Sequence, residues 1–203
     1  MIERQKPLGG LGRTVEIDES KFGRRKYNRG KHVEGQWVFG LIERETARTV
    51  LVPVDLRNRE ILLPIIQHWV LPSTTIISDL WKAYDCLESE GYHHLTVNHS
   101  LTFKDPETGA NTNRIEATWR AAKASYSSSS RRSAFFPGYL AKYSFLKHCS
   151  INNLDPFFEF LKHAAVLYSP FTPVASSAEP SGDQVVDHQV ADNNDDNDDD
   201  DII

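Results

Sequence analysis

Three strand-like runs stand close together near the start of the chain and are followed by alternating helix-like and strand-like segments. That order limits the possible folds more than any other feature. Residues 13–19 (RTVEIDE) alternate apolar and polar side chains, and residues 36–43 (QWVFGLIE) and 48–54 (RTVLVPV) are rich in β-branched and aromatic residues. A polar, Gly-punctuated stretch separates the first pair and a short turn the second, which predicts an antiparallel meander. Residues 74–78 (TTIIS), ending at Asp79, and 93–97 (HHLTV) predict two further strands. Asn58 is a suitable cap for a helix through Val70 with Glu60 in its first turn. A second helix is predicted from Leu80 to Glu90, stopped by Gly91, and a third from a Thr112 cap to about Tyr126. Two more are predicted at residues 138–149 and 156–168. The chain should therefore form an α/β domain, residues 1–168, built on a mixed five-stranded sheet flanked by helices.

Charge divides the chain in two. Residues 169–203 hold ten of the 28 acids and no Lys or Arg, so the rest carries all 23 basic residues against 18 acids, a net of +5. The C-terminal segment, Pro/Ser/Ala-rich and then Asp/Asn-rich, has too little apolar surface to offset its ordering entropy and is expected to be disordered. A mildly basic body is compatible with nucleic acid. No stretch approaches the roughly 20 apolar residues of a membrane span, and residues 1–14 lack the apolar run of a secretory signal. Cys86 and Cys149, far apart and in no C-x-x-C pair, read as buried reduced thiols rather than metal ligands.

Three acids stand where such a fold could gather them. Asp18 is near the end of the first strand, Asp79 ends the fourth, and Glu116 lies on a helix between Ile115 and Trp119. Phosphodiester chemistry needs an activated oxygen nucleophile and a stabilised leaving oxygen, which two Mg²⁺ or Mn²⁺ ions about 3.5–4 Å apart supply. Hard ions of this kind select carboxylate oxygens. Converging carboxylates without a cation would repel one another. Taken singly, each acid also suits a structural role: Asp79 as a helix cap, Asp18 and Glu19 as solvated strand-end charges, Glu116 as a helix-surface residue.

The wider pattern resembles a family. VEIDESKFGRRKYNRG at 15–30 with EGQWVFGLIER at 34–44, ISDLWKAY at 77–84, and VNHSLTFKDPETGANTNRIEATWRAAK at 97–123 look like the three ordered blocks of Merlin-type transposases and their bacterial insertion-sequence relatives. The resemblance implies a ribonuclease-H-like DDE transposase domain acting on DNA, with Asp18, Asp79 and Glu116 as catalytic residues and ligands of two Mg²⁺ or Mn²⁺ ions. Some relatives use Asn at the third position; this chain offers Asn113 and Glu116, and Glu116 is assigned. Lys123, seven positions after Glu116 and so on the same helical face, resembles the basic residue that holds DNA near the metals. His99 matches a family histidine and is an auxiliary candidate.

Lys21, Arg24, Arg25, Lys26, Arg29 and Lys31, with Phe22 and Tyr27 interleaved, read as a phosphate-binding and base-stacking hairpin. Asn113, Arg114, Arg120, Lys123, Arg131 and Arg132 form a second polar and basic stretch. A homo-oligomer on DNA is compatible with this reading, and membranes are not expected partners. The expected compartment is the nucleus in a eukaryote and the cytoplasm otherwise. Relatives carry an upstream segment that recognises transposon ends, whereas Asp18 follows Met1 by 17 positions. A domesticated, non-catalytic DNA- or chromatin-binding module and a simple ribonuclease-H-like nuclease stay open as alternatives.

Overall fold

In a computed structural model describing residues 6–23, 35–98, 105–106, 108–125 and 135–168, the chain begins with β1 (Leu8–Gly9), β2 (Thr14–Phe22), β3 (Gln36–Glu43) and β4 (Thr49–Val54). Helix α1 (Arg59–Trp69), β5 (Val70–Leu71), β6 (Thr75–Asp79) and β7 (His93–Val97) follow, and then helices α2 (Asn113–Ala124), α3 (Phe136–Ile151) and α4 (Pro156–Leu167). The main sheet has the order β4-β3-β2-β6-β7. Strands β2, β3 and β4 pair antiparallel, while β6 joins β2 and β7 joins β6 in parallel. This is the mixed five-stranded sheet expected from the order of elements. The short β1–β5 parallel pair was not foreseen. Arg24, Arg25, Lys26, Tyr27, Arg29, Lys31, His99, Arg131, Arg132 and the acidic segment 169–203 lie outside the described residues.

Strand β2 is central, so both its faces are covered. Val15 and Ile17 pack with Phe39, Leu41 and the α1 residues Leu62 and Ile66. On the other face Phe22, Val38 and Ile42 meet Ile115 and Trp119 of α2 and Leu140 of α3. Burial on both faces explains why β3 reads as a nearly continuous apolar run rather than an alternating one. Asn58 does cap α1, its side-chain oxygen accepting from the Ile61 N–H at 3.1 Å.

Two local expectations are corrected. Residues 80–90 form no α-helix: one 3₁₀ turn, Lys82–Tyr84, leads into further turns that end at Gly91, where φ is +87°. Trp81, Tyr84 and Leu87 recur every third residue, a spacing that eclipses in a 3₁₀ helix, and Tyr84 and Leu87 sink into the α1-side core. Thr112 precedes α2 but makes no side-chain cap bond to its backbone.

The α2 cap comes from far away in sequence. Glu16, on β2 and 0% exposed, accepts from the backbone N–H groups of Arg114 and Ile115, each at 2.9 Å. Its other oxygen takes Arg44 Nε at 2.7 Å, and Arg44 reaches on to the Asn111 carbonyl at 2.5 Å. A carboxylate at a helix N-terminus satisfies unpaired N–H donors and opposes the positive end of the dipole. Glu16 thereby ties α2 to the central strand. Glu16→Ala is expected to cost about 3 kcal/mol, the low end for breaking a buried ion pair, because Arg44 keeps some contact with water. Urea unfolding measures this; a loss below about 1 kcal/mol would contradict the role assigned to Glu16.

Candidate carboxylate site

Sheet register brings the first two acids together. Glu16 pairs with Ile77 across the parallel β2–β6 ladder. That pair is the last of the ladder; two residues further along each strand stand Asp18 and Asp79, on the same face by the alternation of strand side chains. The apolar run of β6 ends at Asp79, whose Oδ1 accepts from the Trp81 N–H at 3.3 Å. On the other side of β2, Asp18 pairs with Gly40 of β3.

That glycine is needed for its lack of a side chain. A Cβ at position 40 would lie 2.4 Å from Cη2 of Trp119, so only glycine lets the indole lie against the sheet. From there Trp119 Nε1 donates to Asp18 Oδ2 at 2.9 Å. Helix α2 also carries Glu116, one position beyond the Glu16-capped Ile115. The half-buried Glu116 accepts a hydrogen bond from the Thr112 hydroxyl at 3.2 Å.

Crowding of carboxylates shows in the acidities. Burial pushes Asp18 up to about 6; the Trp119 bond opposes this, and the charges of Asp79 and Glu116 add to it. Asp18 thus feels both of the other candidate acids. Among the described residues, however, no three His, Cys, Asp or Glu side chains already converge on a common ion position. A fourth acid, Glu19, was read as a solvated strand-end charge, yet its side chain is only 3% exposed. It points to the opposite face of β2, accepts from the Tyr84 hydroxyl, and lies 3.9 Å from Arg57. Burial, then the charges of Asp18 and Asp79, push it up to about 8, against the pull of Arg57.

The basic candidates divide between the two faces of the sheet. Lys123 Nζ donates to Ser20 Oγ at 2.6 Å, on the Asp18 side of β2. Burial lowers its pKa and the charge of Asp18 opposes the shift. Lys21 lies on the other face, its ammonium 5.5 Å from the Trp37 ring centre. Asn113 and Arg114 are exposed on the first turn of α2; the charge of Arg114 reaches Lys147 of α3. A cavity of about 440 Å³, lined by Lys6, Arg48, Lys147, His148 and His163 among others, holds no carboxylate. Thr49, two strands across from β2, is among its lining residues, and the cavity is not part of the acidic cluster.

Sequence reasoning missed Glu16, Glu19, Trp119 and Arg57. Glu16 and Asp18 share a strand face by parity, which is the one signal available for Glu16. The other three depend on contacts between distant segments.

A pH dependence follows from the raised acids. Asp18 and Glu19 bind protons more tightly in the folded than in the unfolded chain. Their stabilising contribution is complete below about pH 4 and is lost as pH rises through about 6 for Asp18 and about 8 for Glu19. In denaturant titrations without divalent ions, the variant carrying Asp18→Asn and Glu19→Gln should gain stability relative to the native chain between about pH 4 and 8. Parallel pH profiles would contradict this electrostatic picture.

Residues 7–146, more than two thirds of the chain, match the ISXO2-like transposase domain. A Haemophilus influenzae protein described as an uncharacterized transposase-like protein is 33% identical over 75 residues, covering 37% of this chain and 58% of that protein. The chain thus spans little more than half the length of that relative. Among solved structures, the HTLV-2 integrase catalytic core domain in complex with magnesium shows 12% identity and a TM-score of 0.44, covering 70% of this chain and 88% of that one. By the match of its residues 7–146, the chain belongs to the family of ISXO2-like transposase domains.

Proposed function

We propose that this transposase domain cuts and joins DNA strands with the help of two divalent ions, Mg²⁺ or Mn²⁺, held by Asp18, Asp79 and Glu116. The observation that carries the reading is the position of Asp18 and Asp79 two residues beyond the last pair of two neighbouring parallel strands, with Asp79 and Glu116 close enough for their charges to act on Asp18. The donor set fits: carboxylate oxygens are what hard divalent ions select, and the pKa of Asp18 is raised first by burial and then by the charges of Asp79 and Glu116. When bound, the ions would activate the attacking oxygen and neutralise the charge on the leaving 3′-oxygen.

The protein's own groups orient the reaction. Trp119 restrains Asp18 by holding one of its oxygens. The Trp81 N–H restrains Asp79 in the same way. Lys123 sets a cation beside Ser20, within the field of Asp18, where a phosphate of the substrate strand would be drawn to it. Lys21, Arg24, Arg25, Lys26, Arg29, Lys31, Asn113 and Arg114 supply further phosphate and sugar contacts in this reading, with His99 an auxiliary group. Such contacts position DNA without reading its sequence.

Nicking of supercoiled plasmid with Mg²⁺ tests the assignment. Asp79→Ala should reduce nicking to the uncatalysed background while leaving DNA affinity in EDTA unchanged. Nicking that survives the substitution removes Asp79 from the mechanism. DNA binding without nicking by the native chain selects the non-catalytic binding module. Nicking without joining of a labelled 3′-end selects a simple nuclease.

A further inference from the structure

Arg57 precedes the Asn58 cap of α1, in the short link after β4. Two antiparallel pairings make β4 run parallel to β2, so this link lies at the same end of the sheet as Asp18 and Asp79. The guanidinium carbon of Arg57 stands 4.1 Å from the ring centre of Trp37 and 5.4 Å from that of Trp81. Both indoles are half-buried. Each is tied to the acidic cluster: Trp81 donates its backbone N–H to Asp79, and Trp37 pairs in register with Lys21, three residues after Asp18.

Stacking of this kind uses the faces of a guanidinium and leaves its N–H edge available. Among the described residues Arg57 makes no hydrogen bond to a protein acceptor and has one ionic partner, Glu19, at 3.9 Å. The side chain is 43% exposed, whereas that of Glu19 is 3% exposed, so Arg57 turns donors to solvent while Glu19 stays beneath it. The Lys21 ammonium, 5.5 Å from the same Trp37 ring, places a second cation beside it. A planar fork held by aromatic rings and flanked by another cation matches the bidentate geometry of a phosphate.

We propose that Arg57, held by Trp37 and Trp81, is a backbone-phosphate contact for the DNA strand that reaches the carboxylate site. The proposal rests on the transposase reading above and adds to it a positioning group outside the acidic cluster and the basic hairpin. Occupancy by a strand phosphate would seat the DNA on the β4 side of Asp18 and Asp79, with Lys123 reaching it from the α2 side.

The test is binding of a fluorescein-labelled duplex oligonucleotide to the full chain in EDTA, over a range of salt concentrations. Arg57→Met keeps an unbranched stem beside the indoles and removes the charge; Arg57→Gln replaces it if the methionine variant does not fold. Lys162→Met on α4 removes one exposed charge elsewhere and serves as the control. For Arg57→Met the slope of log affinity against log salt should flatten by about 0.9, and by about 1.8 when combined with Lys21→Met. The Lys162→Met slope should match that of the native chain. An unchanged slope in a folded Arg57 variant overturns the phosphate contact and leaves the transposase reading standing. Equal flattening in the Lys162 variant also overturns it, because net charge alone would then account for the effect. A native chain that binds no duplex at any salt concentration overturns both.

Discussion

One buried carboxylate holds the candidate site together. Glu16 has no access to solvent, yet it caps α2 through two backbone N–H groups and pairs with Arg44 at the same time. A charge in that position is tolerated because every lone pair that matters is engaged; unpaired, it would cost several kcal/mol. The reward is positional. Docking the N-terminus of α2 onto β2 sets Ile115 in the core, Glu116 one residue later, and Trp119 one turn on, over Gly40 and in reach of Asp18. The central strand thus carries two acids on one face: Glu16 anchors the helix and Asp18 belongs to the proposed metal site.

Electrostatic tension at the end of the sheet is the counterpart of that anchoring. Asp18 feels the charges of Asp79 and Glu116, Glu19 feels those of Asp18 and Asp79, and burial raises the cost of ionising Asp18 and Glu19. A fold selected for stability alone would not gather them there. Trp119 and Arg57 relieve part of the tension, the first by a hydrogen bond to Asp18 and the second by its positive charge near Glu19. Divalent cations would relieve more, which is the physical reason for reading the cluster as a metal site.

The sheet was legible in the sequence because its strands are short apolar runs with clear ends. Gln36–Glu43 appears with the bounds that its apolar residues announce, and the β-branched run of β6 stops at Asp79. The position of Asp79 at a strand end could therefore be read directly, whereas Asp18, expected near the end of its strand, stands mid-strand because β2 runs on to Phe22. Glu16 could not: alternation in β2 looks like a strand with one wet face, and only its central place in the sheet shows that the polar face is buried too. Residues 80–90 misled for a related reason. Trp81, Tyr84 and Leu87 fit a helical pattern loosely, but their three-residue spacing suits the 3₁₀ turn that lays Tyr84 against Glu19. Arg57 stands next to a helix cap, and nothing local marks it; its two indole partners come from β3 and from the segment after β6.

The account requires one metal site made by three side chains that begin with different partners. Asp18 is held by Trp119, Asp79 by the Trp81 backbone, and Glu116 by Thr112. Anomalous diffraction from crystals grown with Mn²⁺ tests this most directly. The expected result is manganese bound by carboxylate oxygens of Asp18, Asp79 and Glu116, at first-row divalent-metal distances of about 2.0–2.2 Å, with Glu116 turned toward Asp18. Manganese bound elsewhere, or bound to the two aspartates while Glu116 stays with Thr112 and points away, would contradict the account.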